Sequence, residues 1–452
     1  MKKALALLMT VALLACSFAA CQQNETPDPT PAQQDQNNGQ SNEQQGQPEN
    51  SAQPSGAQKE SVVWAQPSDI TSLDFHVGKN PASFAVTCNI FDTLVTWDAE
   101  NKVIPHLASE WEFVDEDSLQ LKLREGVLFH VGEELAGEEV QYTLTRAKNS
   151  PIVKNNFSWL DSVDVVDKYT VVVNTIGAYA PVLNALCNPL AGIMPKHLLE
   201  ADDEAMAKNP VGTGPFKFVE RKEGEYVKME ANETYWNGTV ASKYLEMRVV
   251  PEASQRATLL ETDEIDIAYD MLASDVERLN SGEKATALSA PSFKVFYLTI
   301  NCNSGTAALQ DARVRQAIEY AIDKDALCSA VMYGYATPVS SLVGPGVFGY
   351  DAAPTANLYD VEKAKSLLSE AGYADGFEMS IWVQSSDQIR QEACVIIQSM
   401  LEEVGITVTV EPMDGTVMDD TIVKGGDFAA CSSMYYNLMG DADYVLYSNI
   451  SP

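Results

Sequence analysis

Beyond residue 295 the sequence alternates short apolar strands with helices that carry clear start and stop signals. In DARVRQAIEYAIDKDALCSAVMYG, Asp311 can cap one long helix, and in YDVEKAKSLLSEAGY, Asp360 can cap a second that ends at Gly372. The apolar stripe of the first helix consists of Val314, Ala317, Ile318, Ala321 and Ala326. FEMSIWV, a helix over 389–404 closed by Gly405, and ITVTVE follow. This order of strand, helix and strand predicts parallel pairing with right-handed crossovers, and therefore an α/β fold.

The chain before residue 295 is richer in strand patterns. SLQLKLREGVLFH alternates leucine with polar residues, and SVDVVDKYTVVVN predicts two strands around a turn at Asp167 and Lys168. GEEVQYTLTRAK, between them, favours a helix, and strand patterns return in EYVKMEANETYW, YLEMRVV and EIDIAYD. In NPVGTGPFKF, two prolines fix φ while Gly212 and Gly214 permit positive φ, which predicts a rigid bend before a strand.

The amino terminus has the profile of an export signal. Lys2 and Lys3 precede an apolar run over residues 4–15. Cys16 and Cys21 close that run, and a small residue just before cysteine resembles the cleavage box of bacterial lipoproteins. We predict a signal peptide over 1–20 and lipidation of Cys21, with Cys16 as the alternative. An uncut membrane helix over 4–21 also fits the pattern.

Residues 21–60 are predicted to form a disordered tether. Gln, Asn, Pro, Ser, Gly and Ala dominate this stretch, which cannot bury enough apolar surface to fold. A flexible coil of this length spans about 35 Å. Both alternatives for the amino terminus place the chain at the extracytoplasmic face of a cell membrane.

Composition and motifs argue against several functions. A formal net charge of -34 disfavours nucleic acid as a partner. The chain lacks G-x-S-x-G, H-E-x-x-H and P-loop motifs, and GPGVFG at 344–349 is interrupted by proline, so no enzyme or cofactor is indicated. Neither the 4 histidines nor the 6 cysteines beyond residue 21 are spaced as metal ligands, so no metal site is predicted.

Several ordered stretches identify a family. They are NIFDTLVTWD, VIPHLASEWEF, LKLREGVLFH, GEEVQYTLTRA, NPVGTGPFKF, ANETYW, DARVRQAIEYAIDKD and YDVEKAKSLLSEAGY. Together they resemble the extracellular solute-binding proteins of peptide, dipeptide and nickel ABC transporters, solute-binding family 5. The resemblance covers nearly all of the chain after the tether.

The resemblance implies a two-lobed clamp of the class II periplasmic-binding-protein type with an inserted accessory domain. Its implied boundaries are 61–103 and 209–293 for lobe 1, 104–208 for the insert and 294–452 for lobe 2. Members of this kind close by hinge motion around a ligand, and here FKVFYLTINCN would lie at the hinge. The implied protein is a monomer that delivers its ligand to ABC permease subunits.

Two departures from the family bear on the ligand. Peptide-binding relatives carry a Trp and, a few residues later, an Asp that pairs with the α-amino group of the ligand. Aligned on GDADYVLY, those places hold Tyr435 and Leu438, although a shift of three residues would put Asp441 there. An oligopeptide or dipeptide is the expected ligand, with a nickel chelate, sugar or other small molecule as the alternative. An envelope hydrolase and a sensor or adhesin are alternatives of other classes.

The family's cleft positions fall on residues from both lobes. The ligand contacts implied by the resemblance are Asp74, Phe75, Thr87, Asn89, Tyr269, Asp270, Tyr435, Tyr436 and Asn437. A further departure is that relatives return a final segment to lobe 1, whereas this sequence stops at SNISP. We therefore expect an incomplete second lobe that exposes apolar surface and lowers stability.

Overall fold

The computed structural model describes residues 59–449, apart from Lys79, Ser304, 352–357 and Leu438. Its strands are β1 (Ser61–Gln66), β2 (Val95–Trp97), β3 (Val103–Pro105), β4 (Ala108–Phe113), β5 (Ser118–Leu123), β6 (Leu160–Asp167), β7 (Thr170–Thr175), β8 (Phe216–Lys222), β9 (Tyr226–Ala231), β10 (Tyr244–Val249), β11 (Ile267–Ala268), β12 (Lys294–Ile300), β13 (Phe377–Gln384), β14 (Ile406–Met413) and β15 (Ala430–Tyr436). The predicted signal peptide, Cys16, Cys21 and the tether up to residue 58 lie outside the described residues.

The helices connect these strands. They are α1 (Pro81–Thr87), α2 (Gly137–Asn149), α3 (Val182–Cys187), α4 (Lys196–Ala201), α5 (Ala205–Lys208), α6 (Ala253–Glu261), α7 (Val276–Ser281), α8 (Ala312–Ala321), α9 (Lys324–Met332), α10 (Val361–Glu370), α11 (Gln388–Glu403), α12 (Gly415–Val423) and α13 (Ala442–Asn449). Among the described residues none of these helices has the length and apolar character needed to span a membrane.

Two sheets share the first large core. The five-stranded sheet has the order β11-β1-β10-β9-β8, in which β1 runs parallel to both β10 and β11. The antiparallel sheet β4-β5-β7-β6 packs against α2 and falls within residues 108–175. Leucine and valine side chains from both sheets belong to one continuous buried cluster. The domain boundaries given above stay predictions.

The second large core surrounds the sheet β12-β15-β13-β14. Strand β13 is parallel to β14, with α11 between them in sequence and packed on both, which confirms the predicted crossover. Asp311 and Asp360 cap α8 and α10 as predicted, and Gly372 and Gly405 adopt positive φ after their helices.

The long helix predicted over DARVRQAIEYAIDKDALCSAVMYG is wrong in one respect, because the chain forms two helices there. Helix α8 ends before Ile322, whose φ of -100° and ψ of 113° are not helical. Asp323 then accepts a hydrogen bond from the backbone N of Ala326 and begins α9. An Asp side chain competes for backbone donors in this way, so it favours a helix start over a helix interior.

The reason predicted for the glycines of NPVGTGPFKF is also wrong. Neither Gly212 nor Gly214 has positive φ. Instead the segment runs against the backbone of Ile90, where a Cβ on Gly212 would lie 2.0 Å from the Ile90 carbonyl oxygen. The Gly214 N–H donates to that same oxygen at 2.9 Å. These glycines are therefore required by close packing of two backbones.

Candidate ligand-binding cleft

The first two predicted contacts, Asp74 and Phe75, lie inside the first lobe. The Asp74 carboxylate is 0% exposed and forms a bidentate ion pair with Arg146 of α2, at 2.7 and 3.1 Å. The Phe75 ring packs edge-on against Phe91 at 5.1 Å. Both side chains join the turn after β1 to the rest of the core, and as ligand contacts they stay predictions.

Thr87 and Asn89 flank the carboxyl end of α1 and are also buried. Their side chains donate hydrogen bonds to carbonyl groups of their own helix, Thr87 to Phe84 at 3.5 Å and Asn89 to Ala85 at 2.7 Å. Between them, burial and the nearby Asp92 carboxylate raise the pKa of the Cys88 thiol to about 12. The structure therefore places a neutral thiol at this position.

Tyr269 and Asp270 follow the short strand β11. The Tyr269 ring meets the Trp64 ring edge-on at 6.2 Å. Asp270 has a φ of 58°, in the left-handed region, and its carbonyl accepts a hydrogen bond of 2.5 Å from Arg256. Its half-exposed carboxylate lies 4.0 Å from the ammonium group of Lys294, at the start of β12. These two residues thus lie where the five-stranded sheet approaches the second sheet.

Strand β15 of the second lobe ends with Tyr435 and Tyr436, and Asn437 follows it. Tyr436 pairs with Lys294 in the β12–β15 ladder, and burial raises its pKa, with smaller contributions from the nearby Cys88 and Asp270. Asn437 is buried and donates from its side chain to the carbonyl of Asp441 at 2.8 Å. The structure therefore brings Tyr436 of the second lobe close to Tyr269 and Asp270 of the first lobe.

After β15 the chain reaches across to the first core, in what we call the crossing segment (residues 437 and 439–444). Met439 is 2% exposed and belongs to the first buried cluster. The hydroxyl of Tyr444 accepts a hydrogen bond of 2.9 Å from Asn156. Tyr179 hydrogen bonds with the Asp443 carboxylate, and burial together with that negative charge raises the pKa of Tyr179. The crossing segment therefore holds the two cores together.

Sequence reasoning missed the aromatic wall that faces the crossing segment. Trp159 and Tyr179 stack with ring centroids 5.6 Å apart and an interplanar angle of 3°. Trp97 lies nearby on β2 and donates to the side chain of Asn184 at 3.2 Å. No local pattern marks this wall, because Trp159 precedes β6 and Tyr179 follows β7 in an antiparallel pair, and the stacking of their rings follows from tertiary packing.

Asp441 is the most enclosed carboxylate of the crossing segment. It is 7% exposed, and its Oδ1 accepts the backbone N–H of Asp443 at 2.9 Å. In the part of the chain that the structure describes, no Lys, Arg or His nitrogen lies within 4.0 Å of it, since each ion pair found there involves other carboxylates. A buried carboxylate without a cationic partner is a favourable position for a ligand ammonium group.

Two surface depressions lie away from this cleft. One, of about 400 Å³, is lined by Ser109, Lys122, Leu123, Arg124, Glu125, Val127 and Trp236. The other, of about 270 Å³, is lined by Gly305, Thr306, Ser380, Trp382, Glu411, Asp427, Phe428 and Ala429. Within the described ranges no three His, Cys, Asp or Glu side chains are grouped so that they could hold a metal ion.

Comparison with known proteins shows which family the chain belongs to. Residues 102–452 match the family described as bacterial extracellular solute-binding proteins, family 5 Middle. The chain belongs to solute-binding family 5. This confirms the membership that the sequence stretches indicated.

Relatives of this family 5 protein bind chemically different ligands. It is 31% identical over 369 residues to the glutathione-binding protein GsiB of Pectobacterium atrosepticum, covering 80% of this chain and 71% of the relative. DppA of Helicobacter pylori, solved with the peptide STSA, is 26% identical, with a TM-score of 0.73 over 86% of this chain and 81% of DppA. NikA of Brucella suis, solved with Fe(III)-EDTA, is 26% identical, with a TM-score of 0.78 over 86% of this chain and 82% of NikA.

These similarities confirm the predicted fold class, a two-lobed α/β clamp of the class II type. Members of family 5 are extracytoplasmic substrate-binding proteins of ABC importers, and they bind their ligands rather than transform them. In this family 5 protein the two cores are joined where the crossing segment packs against the first core, through Met439 and the hydrogen bond between Asn156 and Tyr444.

Proposed function

We propose that this protein captures a short peptide between its lobes and delivers it to an ABC permease. Glutathione, a tripeptide, is the first candidate, because a glutathione-binding protein is among the relatives that exceed 30% identity. The observation that carries the proposal is Asp441, a carboxylate enclosed between the two cores without a cationic partner among the described residues.

A peptide supplies the missing partner. Its α-ammonium group can pair with Asp441, and the aromatic rings of Trp159 and Tyr179 offer apolar walls for side chains of varied shape. In this proposal Asp441 takes the role that the resemblance leaves open at residues 435–441. Tyr269, Tyr435, Tyr436 and Asn437 line the cleft in the same proposal, and turnover of the ligand is not part of it.

The test is calorimetric titration of reduced glutathione and trialanine, each beside its N-acetylated form. We expect the free amines to bind and the acetylated forms to bind at least tenfold more weakly. Asp441→Asn should lower the affinity for the free amines by about tenfold or more, since a hydrogen bond to a charged group contributes about 1.5–3 kcal/mol.

Asp427→Asn is the matched control, since it changes an exposed carboxylate on the outer surface of the second lobe. It should leave both affinities unchanged. Equal binding of free and acetylated peptides would refute the role of Asp441. A wild-type protein that retains a metal chelate instead of a peptide through purification would favour the alternative solute, and a chemically altered peptide would favour a hydrolase.

Anchoring to the membrane is the second part of the proposal. Lipidation of Cys21 would hold the clamp near its permease, because two or three acyl chains make a stable anchor. In cells of the source organism, Cys21→Ser should move the protein from the membrane to the soluble fraction, and Cys16→Ser should not. The opposite result would assign the anchor to Cys16, and membrane retention in both variants would indicate an uncut helix.

A further inference from the structure

Polar atoms without partners collect at the carboxyl ends of β1 and β11. They are the indole Nε1 of Trp64, both side-chain amide atoms of Gln66 and the hydroxyl of Tyr269. All are buried, Gln66 completely, and no described residue forms a hydrogen bond with them. Buried polar groups in native proteins nearly always have partners, so this concentration points to a group that binds there.

The three side chains share one face of the five-stranded sheet. Strand β1 pairs in parallel with β11, with Trp64 opposite Ile267 and Ala65 opposite Ala268. Because side chains alternate along a strand, Trp64, Gln66 and Tyr269 point to the same side, and the contact between the Trp64 and Tyr269 rings agrees with this. Ligands of open α/β sheets bind outside the carboxyl ends of parallel strands, which is the position of these residues.

The polar atoms are mainly donors. The indole offers an N–H, the carboxamide an NH2 group and the phenol an O–H. Burial and the neighbouring Asp270 carboxylate raise the pKa of Tyr269 to about 12, so the phenol keeps its proton. A group that satisfies all of these donors together must carry several acceptor lone pairs.

A buried positive charge lies beside them. Arg256 is almost fully buried, and its guanidinium group donates to the carbonyls of Val250, Pro251 and Asp270 at 2.5–2.8 Å. Among the described residues no carboxylate lies within 4.0 Å of this group, and its Nε atom has no partner. The charge of Arg256 is therefore not neutralised by direct pairing, and it favours a negative ligand group nearby.

We propose that Trp64, Gln66 and Tyr269 form a subsite that binds a carboxylate group of the ligand. A carboxylate presents acceptors only, so it matches the donors of the subsite and the field of Arg256. Tyr436 of the second lobe lies close to Tyr269, so the subsite lies on the side of the first lobe that faces the second. The inference rests on the proposed function in that the carboxylate belongs to a peptide whose amino group pairs with Asp441.

The test compares each peptide with a form in which its carboxylate is blocked. The probes are trialanine and trialanine amide, and glutathione and its glycyl ethyl ester. Tyr269→Phe and Gln66→Met remove donors while nearly conserving volume, and Trp64→Phe removes the indole N–H together with one ring. Each variant should bind the free acid about tenfold or more weakly than the wild type and bind the amide or ester as the wild type does. Melting temperatures of Tyr269→Phe and Gln66→Met without ligand should stay the same or rise, because an unpaired polar group has been removed.

Tyr226→Phe and Trp382→Phe are matched controls, since their polar atoms bond to Glu220 and Glu411 at the surface. Both should leave the affinities unchanged. Unchanged affinity for the free acid in the three subsite variants would overturn the proposal, and a lowered melting temperature of Tyr269→Phe and Gln66→Met beside it would show that the atoms bind internal water only. Equal binding of acid and amide by the wild type would refute the subsite alone, whereas binding of neither would refute the peptide function and this subsite with it.

Discussion

Asn156 donates a hydrogen bond of 2.9 Å to the hydroxyl of Tyr444, although 288 residues separate them in sequence. Asn156 lies in the turn before β6, and Tyr444 lies in the first turn of α13. The bond therefore joins the antiparallel sheet beside the first lobe to the end of the second lobe. Together with the burial of Met439 in the first core, it fixes the crossing segment against the first lobe.

Asn156→Ala should weaken the docking of the crossing segment on the first core. Loss of the bond is expected to cost about 1 kcal/mol, which corresponds to about a fivefold loss in the population ratio of docked to undocked segments. Faster amide exchange in residues 439–446 without ligand would report the change. Asn155→Ala alters an exposed neighbour and should leave the exchange unaffected. Equal exchange in both variants would mean that Met439, not Asn156, holds the crossing segment.

Gly212→Ala should be among the most destabilising single changes in the first lobe. A Cβ there would lie 2.0 Å from the Ile90 carbonyl oxygen, and backbone on both sides prevents relief. We expect a loss of more than about 3 kcal/mol in the free energy of unfolding. Urea titration measures it, with Gly282→Ala as the control, because Gly282 has negative φ and no contact of its Cβ position below 3.3 Å. A loss below about 1 kcal/mol would contradict the packing argument.

Local features of the fold could be predicted because their causes are local. Asp360 caps α10 through its own side chain, and Gly372 permits the left-handed residue that ends that helix. The break between α8 and α9 was missed because the apolar stripe continues through it, although Asp323 is of a residue type that commonly caps helices. The true constraint on Gly212 depends on Ile90, 122 residues earlier, and no local pattern carries that information.

The cleft was less predictable than the fold. The family resemblance gave Tyr269 and Tyr436, which the structure brings together. It could not give Asn156 or Tyr179, because their partners lie in the crossing segment and such contacts follow from tertiary packing. The burial of the Gln66 amide without a hydrogen-bond partner could not be predicted either, since in sequence Gln66 is an ordinary polar residue at the end of a strand.

Asp74→Asn should separate a structural role from a ligand-binding role. The buried ion pair with Arg146 would lose its negative partner, which typically lowers the free energy of unfolding by about 3–5 kcal/mol. Unchanged peptide affinity at temperatures where the variant is folded would give Asp74 a structural role alone. Asp203→Asn is the matched control, because Asp203 is 3.4 Å from the same Arg146 but 83% exposed, so its pairing contributes little. A variant that kept its stability but lost affinity would confirm Asp74 as a ligand contact.

His76 should make stability fall as the solution becomes mildly acidic. Burial lowers its pKa from 6.5 to about 4, although the Asp74 carboxylate offsets part of this lowering, and Arg146 adds a smaller lowering. The unfolded chain therefore binds a proton between pH 6.5 and 4 that the folded protein excludes. Stability from this group is fully present above pH 6.5 and is lost as pH falls toward 4, by roughly 3 kcal/mol.

The measurement is urea unfolding of wild type and His76→Gln at pH 7, 6 and 5. The His130 pKa is also lowered to about 4 by burial, so the wild-type curve contains both contributions and the variant should keep that of His130. We expect His76→Gln to start less stable at pH 7, since the 3.0 Å contact with the Leu190 carbonyl is altered, and to lose less stability by pH 5. His197→Gln, which changes an exposed histidine, should follow the wild type. Parallel curves for wild type and His76→Gln would show that folding does not lower the His76 pKa, because only a group with different pKa values in the folded and unfolded states changes the slope.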